Sequence, residues 1–316
     1  MGRRILIVSD GKAGHENQAR ALCAALGAEP VVARVAYFTR LHKAMSFAAD
    51  RLGLRWRSLY DVAPHAEGPF AAVIGAGSST FYPARVLARK QRVPVCAVLL
   101  PRGYRLAGFT CVVAPAFDRP PVQTNVVSIP VNLTRTGAAF YAEGVAAFRL
   151  RHTARKPAVG VILGGPNRFA TLRAEELQRQ FERLFAATEG FERWVTTSRR
   201  TPHAVEDLVE RTPFDFRLVY SREPFNPIPA FVSLCDTLFV TADSTGMLSE
   251  AVTHGTARVE VLMNLRRAPS KYRRLVQDLT ETGAAHVFDG QIGDARRKID
   301  LEPAFQRVAE LLRLAP

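Results

Sequence analysis

No apolar run of about 18 residues or more occurs in the 316-residue chain, so no membrane-crossing helix is expected. The opening run MGRRILIV is far shorter than the apolar core of a signal peptide and leads straight into Ser9 and Asp10. Cysteine is scarce. Cys23, Cys96, Cys111 and Cys235 stand far apart with no C-x-x-C and no metal-type spacing, which leaves buried free thiols in a reducing compartment as the expectation. Several catalytic signatures are also missing. The glycines of the first turn are followed by no G-x-x-x-x-G-K-[ST], which excludes a Walker phosphate loop, and no G-x-G-x-x-G supports a nicotinamide dinucleotide site. None of the seven tyrosines has a lysine four residues on, no D-x-D offers a metal-carboxylate clamp, and neither H-E-x-x-H nor G-x-S-x-G occurs.

What is present describes a globular protein with real cores: 47% hydrophobic and 23% charged residues. The net charge of +14 is uneven. Residues 1–150 hold 19 Lys and Arg against 8 Asp and Glu, a balance of +11, whereas residues 151–316 hold 24 against 21, a balance of +3. A basic first half suggests an anionic partner: an acidic membrane surface, a phosphorylated acceptor or nucleic acid. Nucleic acid is not the expected one, because aromatics make up only 9% and no recognition-helix or RNA-binding signature appears.

Short, nearly unbroken apolar runs alternate with amphipathic ones. RILIV, PVVARVAY, FAAVIGAG, PVCAVLLP, FTCVVAP and NVVSIPV form one series; AVGVILGG, RWVTTS, FRLVYS, TLFVTA and RVEVLMN form a second. This is the pattern of parallel sheets covered on both faces. The chain is therefore expected to be α/β, with two Rossmann-like domains at residues 1–153 and 154–316 and with the last helix packed back on the first. In such sheets ligands collect beyond the carboxyl ends of the strands, so the loops after the apolar runs are where to search.

Three such loops stand out in the second half. In LGGPNRF, Gly164 and Gly165 allow close backbone approach, and Asn167 and Arg168 can donate to phosphate; a structural turn would also explain the glycines. TTSRRTP offers Ser198, Arg199, Arg200 and Thr201, a set suited to a diphosphate or to a solvated loop. TADSTGMLSEA supplies Asp243, Ser244, Thr245 and Gly246 at a helix opening, with Glu250 one turn further to accept ribose hydroxyls; an N-cap followed by a solvated Glu is the alternative. Together they make nucleotide-diphosphate binding the better reading.

The ordered set DGKAGHENQ, LLPRGYRLAGF, GGPNRF, SRRTP, LCDTLFVTADS and MLSEA resembles the family of the plant mitochondrial-fission (elongated-mitochondria) protein and its bacterial relatives. The family is similar to two-Rossmann-domain (GT-B) glycosyltransferases and, more distantly, to the lipid-linked peptidoglycan GlcNAc transferase. The resemblance implies an acceptor-side Gly-rich loop ending in His, matched by Gly11, Gly14 and His15. It also implies a donor-side loop-helix, matched by Ser244, Gly246, Glu250 and Ala251. Two departures bear on the acceptor: the turn is a short G-x-x-G-H, and IPVNLTR (129–135) replaces a Gly-containing segment. The plant protein is associated with recruiting a fission dynamin, so membership alone does not establish catalysis.

The first half adds acceptor-side candidates Gly11, Lys12, Gly14, Asn17, Gln18, Ser78 and Ser79, with His15 or Asp10 as catalytic base. Projected as a helix at about 100° per residue, residues 36–60 place Phe38, Leu41, Met45, Ala48 and Leu52 on one stripe, expected to be core. Arg40, Lys43 and Arg51 lie opposite, with Phe47 among them. A basic face carrying an aromatic suits an acidic membrane, and these four are the membrane-facing candidates; Phe47 packed on a neighbouring loop is the alternative.

The whole is expected to be a GT-B-like protein with its two domains facing each other across a cleft. It would move sugar from a nucleotide-activated donor to a lipid-linked or envelope glycan acceptor, in the cytoplasm at the inner face of the membrane. No metal and no cofactor beyond the nucleotide-sugar co-substrate is expected; Arg168, Arg199 and the helix opening near Ser244 would steady the leaving diphosphate. A non-catalytic scaffold recruiting a partner at a membrane, and a nucleotide-sugar epimerase or phosphorylase, remain as rivals.

Overall fold

The computed structural model describes residues 3–63, 68–134 and 137–314; Arg135, which closes IPVNLTR, lies outside them. The chain divides into two compact units, Met1–Thr136 with Asp300–Pro316, and Gly137–Ile299. The first is built on β1 (Arg4–Ser9), β2 (Glu29–Tyr37), β3 (Tyr60–Val62), β4 (Ala72–Ala76), β5 (Val95–Val98), β6 (Cys111–Pro115) and β7 (Val126–Ile129). Their order is β3-β2-β1-β4-β5-β6-β7, parallel except for the edge strand β3. The second carries β8 (Ala158–Ile162), β9 (Glu192–Thr196), β10 (Phe216–Leu218), β11 (Thr237–Thr241), β12 (Arg258–Leu262) and β13 (His286–Val287) in the order β10-β9-β8-β11-β12-β13, all parallel. Both orders are Rossmann-like. The central strands are buried on both faces, Ile5, Leu6 and Ile7 in β1 and Val159, Val161 and Ile162 in β8, which is why they read as unbroken apolar runs. All four cysteines are free and buried.

The helices are α1 (Ala13–Ala25), α2 (Arg40–Arg51), α3 (Phe81–Gln91), α4 (Ala138–Arg149), α5 (Ala174–Ala187), α6 (His203–Arg211), α7 (Ile228–Leu234), α8 (Thr245–Thr253), α9 (Lys271–Glu281) and α10 (Glu302–Leu311). The division of the chain falls at 136/137 rather than at 153/154. The alanine-rich helix α4 groups with the second unit because it packs on α7. Gly144 lets Pro229 approach where any side chain would collide, and fully buried Phe148 sits 4.9 Å, ring to ring, from both Trp194 and Phe216. The last helix, α10, belongs to the first unit and packs on β6 and β7.

Helix α2 overturns the expected orientation. The stripe Phe38, Leu41, Met45, Ala48 and Leu52 is exposed rather than core, and Phe47 turns inward, stacked on Tyr104 at 4.4 Å. Polar anchors cause the inversion. Asp50 and Arg85 of α3 form a buried ion pair, and the Asp50 carboxylate also accepts the Arg105 backbone N–H at 2.9 Å. Ser46 shares a hydrogen bond with the Tyr104 hydroxyl at 3.1 Å, and Lys43 donates to Ser78 and Ser79 at 3.2 and 3.0 Å. A buried charge left unpaired is costlier than an exposed leucine, so the charge sets which face turns in.

In the second sheet, at the start of β9, Glu192 accepts from the His152 ring (2.8 Å), the Trp194 indole (3.0 Å) and the Arg155 backbone N–H (2.6 Å). Burial works to raise its carboxyl, and the bonds from His152, Trp194 and Arg155 outweigh this and hold it down at about 2. A depressed acid stabilises the fold above its unfolded value and loses that contribution as pH falls through the folded one. Glu192→Gln should therefore lower urea-melt stability at pH 7 by on the order of 2 kcal/mol, with the difference from wild type vanishing between pH 4.5 and about 2. Asp50→Ala should cost about 3–5 kcal/mol by stranding Arg85, and Asp50→Leu with Arg85→Met should recover most of it in the same melts.

Candidate functional site

In the second unit the strand order reverses between β8 and β11, and the loops after β8, β9 and β11 come together there. Asp243, two residues beyond β11, is the hub. Its side chain is fully buried. It accepts the Gly165 backbone N–H (2.9 Å), Arg200 Nη2 (2.9 Å) and Asn264 Nδ2 (3.0 Å), the last from the loop after β12. Its carbonyl accepts from Asn167 Nδ2 at 3.2 Å. Thr241 Oγ1 accepts the Gly164 N–H at 2.8 Å. The Gly164 carbonyl accepts from Ser198 Oγ (2.9 Å) and Thr201 Oγ1 (2.6 Å), and the Gly165 carbonyl from Arg200 Nη1 (2.9 Å). A side chain at Gly164 would collide with the Asp243 carboxylate, and one at Gly165 with the Arg200 backbone.

These bonds sort the donor-side candidates into two groups. Gly164, Gly165, Asn167, Ser198, Arg200, Thr201 and Asp243 hold the loops to one another. Arg168 and Arg199 are exposed and form no ion pair among the described residues; Arg168 lies over the Phe169 ring at 5.5 Å. Directly after Asp243, α8 opens with Ser244 as N-cap accepting the Met247 N–H at 3.3 Å. Thr245 is its first residue and Gly246 is exposed, with open space at its Cα. One turn on, the Glu250 carboxylate hydrogen-bonds to the Tyr141 phenol of α4, whose ring lies 4.7 Å from that of His254. Burial and then the facing Glu250 push the Tyr141 phenol well up, so it stays protonated as the donor.

In the first unit the equivalent reversal lies between β1 and β4. Asp10 follows β1 and is nearly buried. Its carboxylate meets His15 Nδ1 at 3.3 Å through both oxygens, the Lys12 N–H at 3.2 Å and Lys12 Nζ at 3.5 Å. The imidazole lies over Gly77 (φ +89°), where a side chain would strike the ring. In the neutral tautomer that donates Nδ1–H to Asp10, Nε2 is an acceptor, and it has no hydrogen-bond partner in the protein among the described residues. Below, Ser9 donates to Glu16 at 2.8 Å and Arg20 to the same carboxylate at 2.9 Å. Burial works to raise the Glu16 carboxyl, and the Ser9 and Arg20 bonds hold it below its ordinary value.

The remaining first-half candidates separate. Gly11 (φ +79°) needs the left-handed region and, like Gly14, faces open space. Asn17 is exposed, and Gln18 donates to the Gly14 carbonyl at 3.3 Å. Ser78 and Ser79 are taken up by Lys43. Arg40 and Arg51 are exposed, whereas Lys43 and Phe47 are half-buried. Thr241, Asn264 and Tyr141 were not singled out from the sequence. The first two sit at strand ends, a signal that could have found them; Tyr141, in an alanine-rich helix far from Glu250, gave none. A hollow of about 430 Å³ between α5 and α6, lined by Phe181, Phe185 and Arg211 among others, contains no candidate residue.

No curated protein sequence matches the chain. Solved structures share its fold, three of them as follows. The UDP-GlcNAc 2-epimerase of Methanocaldococcus jannaschii aligns at TM-score 0.57 and 14% identity, covering 100% of both chains. The S. aureus MnaA–UDP co-structure aligns at 0.50 and 12%, covering 99% of this chain and 98% of the other. The E. coli ADP-heptose LPS heptosyltransferase II aligns at 0.50 and 11%, covering 98% of each. At such identities the likeness shows the fold, GT-B-like with two Rossmann-like domains. The model of the family described as Mitochondrial fission ELM1 matches residues 13–315, nearly the whole length and both units, and the chain belongs to that family.

Proposed function

We propose that the chain is a glycosyltransferase whose second unit binds a nucleotide-diphosphate sugar at the carboxyl edge of its sheet, and whose acceptor is a lipid-linked or envelope glycan met at the inner membrane face. One observation carries this reading. The Asp243 hub ties the loops that carry Arg168 and Arg199 to the turn that opens α8, and both arginines are exposed and without an ion pair among the described residues. Guanidinium groups beside a helix N-terminus are a diphosphate site by charge and by donor count. The likenesses are compatible: the similar structures carry UDP, UDP-GlcNAc and ADP-heptose in their descriptions, which share the nucleoside diphosphate. Glu250, one turn into α8 and hydrogen-bonded to the Tyr141 phenol, is the group assigned to the ribose hydroxyls.

The chemistry assigns a role to each group. An acceptor hydroxyl oxygen forms a bond to the anomeric carbon as the bond from that carbon to the diphosphate oxygen breaks. The nucleoside diphosphate leaves with the electron pair, its charge met by Arg168, Arg199 and the α8 amides. The hydroxyl proton passes to His15 Nε2, with Asp10 orienting the ring through Nδ1.

Calorimetry against UDP-, GDP-, ADP- and CMP-sugars should find one that binds. Arg168→Ala and Arg199→Ala should each weaken it about tenfold, and Glu250→Ala should weaken it with loss of ribose discrimination. No binding to any nucleotide would refute the donor site and favour a non-catalytic scaffold. Donor epimerisation without acceptor would favour the epimerase. Once a donor is found, His15→Ala should lower turnover by about 10²–10⁴ with donor affinity unchanged; unchanged turnover would remove His15 from the chemistry.

A further inference from the structure

Of the eight large apolar side chains exposed among the described residues, six lie within residues 38–56: Phe38 (60%), Leu41 (68%), Met45 (36%), Leu52 (73%), Leu54 (36%) and Trp56 (44%). Single exposed leucines are ordinary, whereas a contiguous group on one helix and the turn after it marks a contact surface. The helix cannot bury this stripe by rotating. Its other face is held by Asp50–Arg85, Ser46–Tyr104, Lys43 on Ser78 and Ser79, and the Phe47–Tyr104 stack.

The charge around the stripe identifies its occupant. Residues 36–60 contain five Lys and Arg and a single acid, Asp50, whose carboxylate is buried against Arg85. Arg40, Arg51 and Arg57 are exposed. Arg55 is half-buried and donates to the Leu54 carbonyl at 2.8 Å, and Arg105 donates to the Arg51 carbonyl at 3.2 Å, which brings two further cations to the end of the helix. Exposed apolar side chains and exposed arginines on one helix and the turn after it, with a tryptophan at the margin, match a bilayer interface of anionic lipid: the stripe enters the acyl boundary while the guanidinium groups meet phosphates. A second copy of the chain would set these cations against one another, and nucleic acid would leave the stripe in water.

We infer that α2 and the turn at residues 52–57 are a docking face that seats the first unit on an anionic membrane surface. The inference stands on this surface alone and is independent of the nucleotide test. Trp56 is a built-in reporter, because the only other tryptophan, Trp194, is fully buried. The full-length protein is mixed with phosphatidylcholine vesicles with and without phosphatidylglycerol. Binding should appear only with the anionic lipid, shift Trp56 emission to the blue, weaken with salt and resist excess glycerol phosphate. Leu41→Ser with Leu52→Ser, both at exposed positions, should lower vesicle affinity at least tenfold with the circular dichroism melt unchanged. Arg51→Glu with Arg55→Glu should lower it about tenfold and flatten the salt dependence.

Three results would overturn the proposal. One is no vesicle binding at low salt. A second is binding that the serine pair leaves intact. The third is a dimer without lipid that the serine pair dissociates, which would assign the face to self-association.

Discussion

One buried carboxylate, Asp243, governs the geometry of the second unit. A charge removed from water must be met by donors within hydrogen-bond distance, and here the donors come from three different loops: Gly165 after β8, Arg200 after β9 and Asn264 after β12. Because each satisfies the same group, none can move without stranding it. Gly164 and Gly165 are required for that closeness, since a Cβ at either would occupy space already filled by the Asp243 carboxylate or the Arg200 backbone. The hub thus holds the loops that carry Arg168 and Arg199 to the start of α8, and an edge held in advance costs less to order on binding.

The first unit repeats the device with a different outcome. Asp10 stands at the corresponding strand reversal, and its partners are a histidine and a lysine from its own turn and helix rather than three separate loops. Gly77 makes room for the imidazole. The Asp243 carboxylate is wholly closed off, whereas the Asp10 pair keeps the His15 ring partly open and one nitrogen uncommitted. A closed hub suits a scaffold for binding; a half-open acid–imidazole pair suits the handling of a proton.

How far the sequence disclosed this depends on whether the deciding contact is local. Strand after strand was legible because burial on both faces leaves a local apolar signature, as in RILIV and AVGVI, and the strand-end loops were legible because parallel sheets place ligands there. Within those loops the residues were found but not their division of labour. Nothing in TTSRRTP says that Arg200 turns to Asp243 while Arg199 stays free, because that choice is made across the sheet. The domain limit was missed for the same reason: α4 belongs with α7 through the fit of Gly144 against Pro229, a contact between residues far apart in the chain. Tyr141 reaches Glu250 over a similar separation.

Helix α2 is where periodicity gave the opposite answer, and the reason is general. An apolar stripe predicts burial only when the other face has nothing stronger to bury. Exposing one leucine forgoes about 1.5–3 kcal/mol, whereas breaking a buried ion pair by removing one partner costs about 3–5 kcal/mol. The inward face of α2 carries Asp50 opposite Arg85 together with two further polar anchors and the stack of Phe47 on Tyr104. These terms together set the rotation of the helix about its axis, and the stripe turns outward as a consequence. A lone exposed leucine would be an incidental result of such a choice. Six large apolar side chains beside exposed arginines are not, because a surface facing only water gains nothing from collecting them. The ion pair thus serves two ends at once: it satisfies a charge in the interior and it displays an apolar, cationic face to whatever the first unit meets.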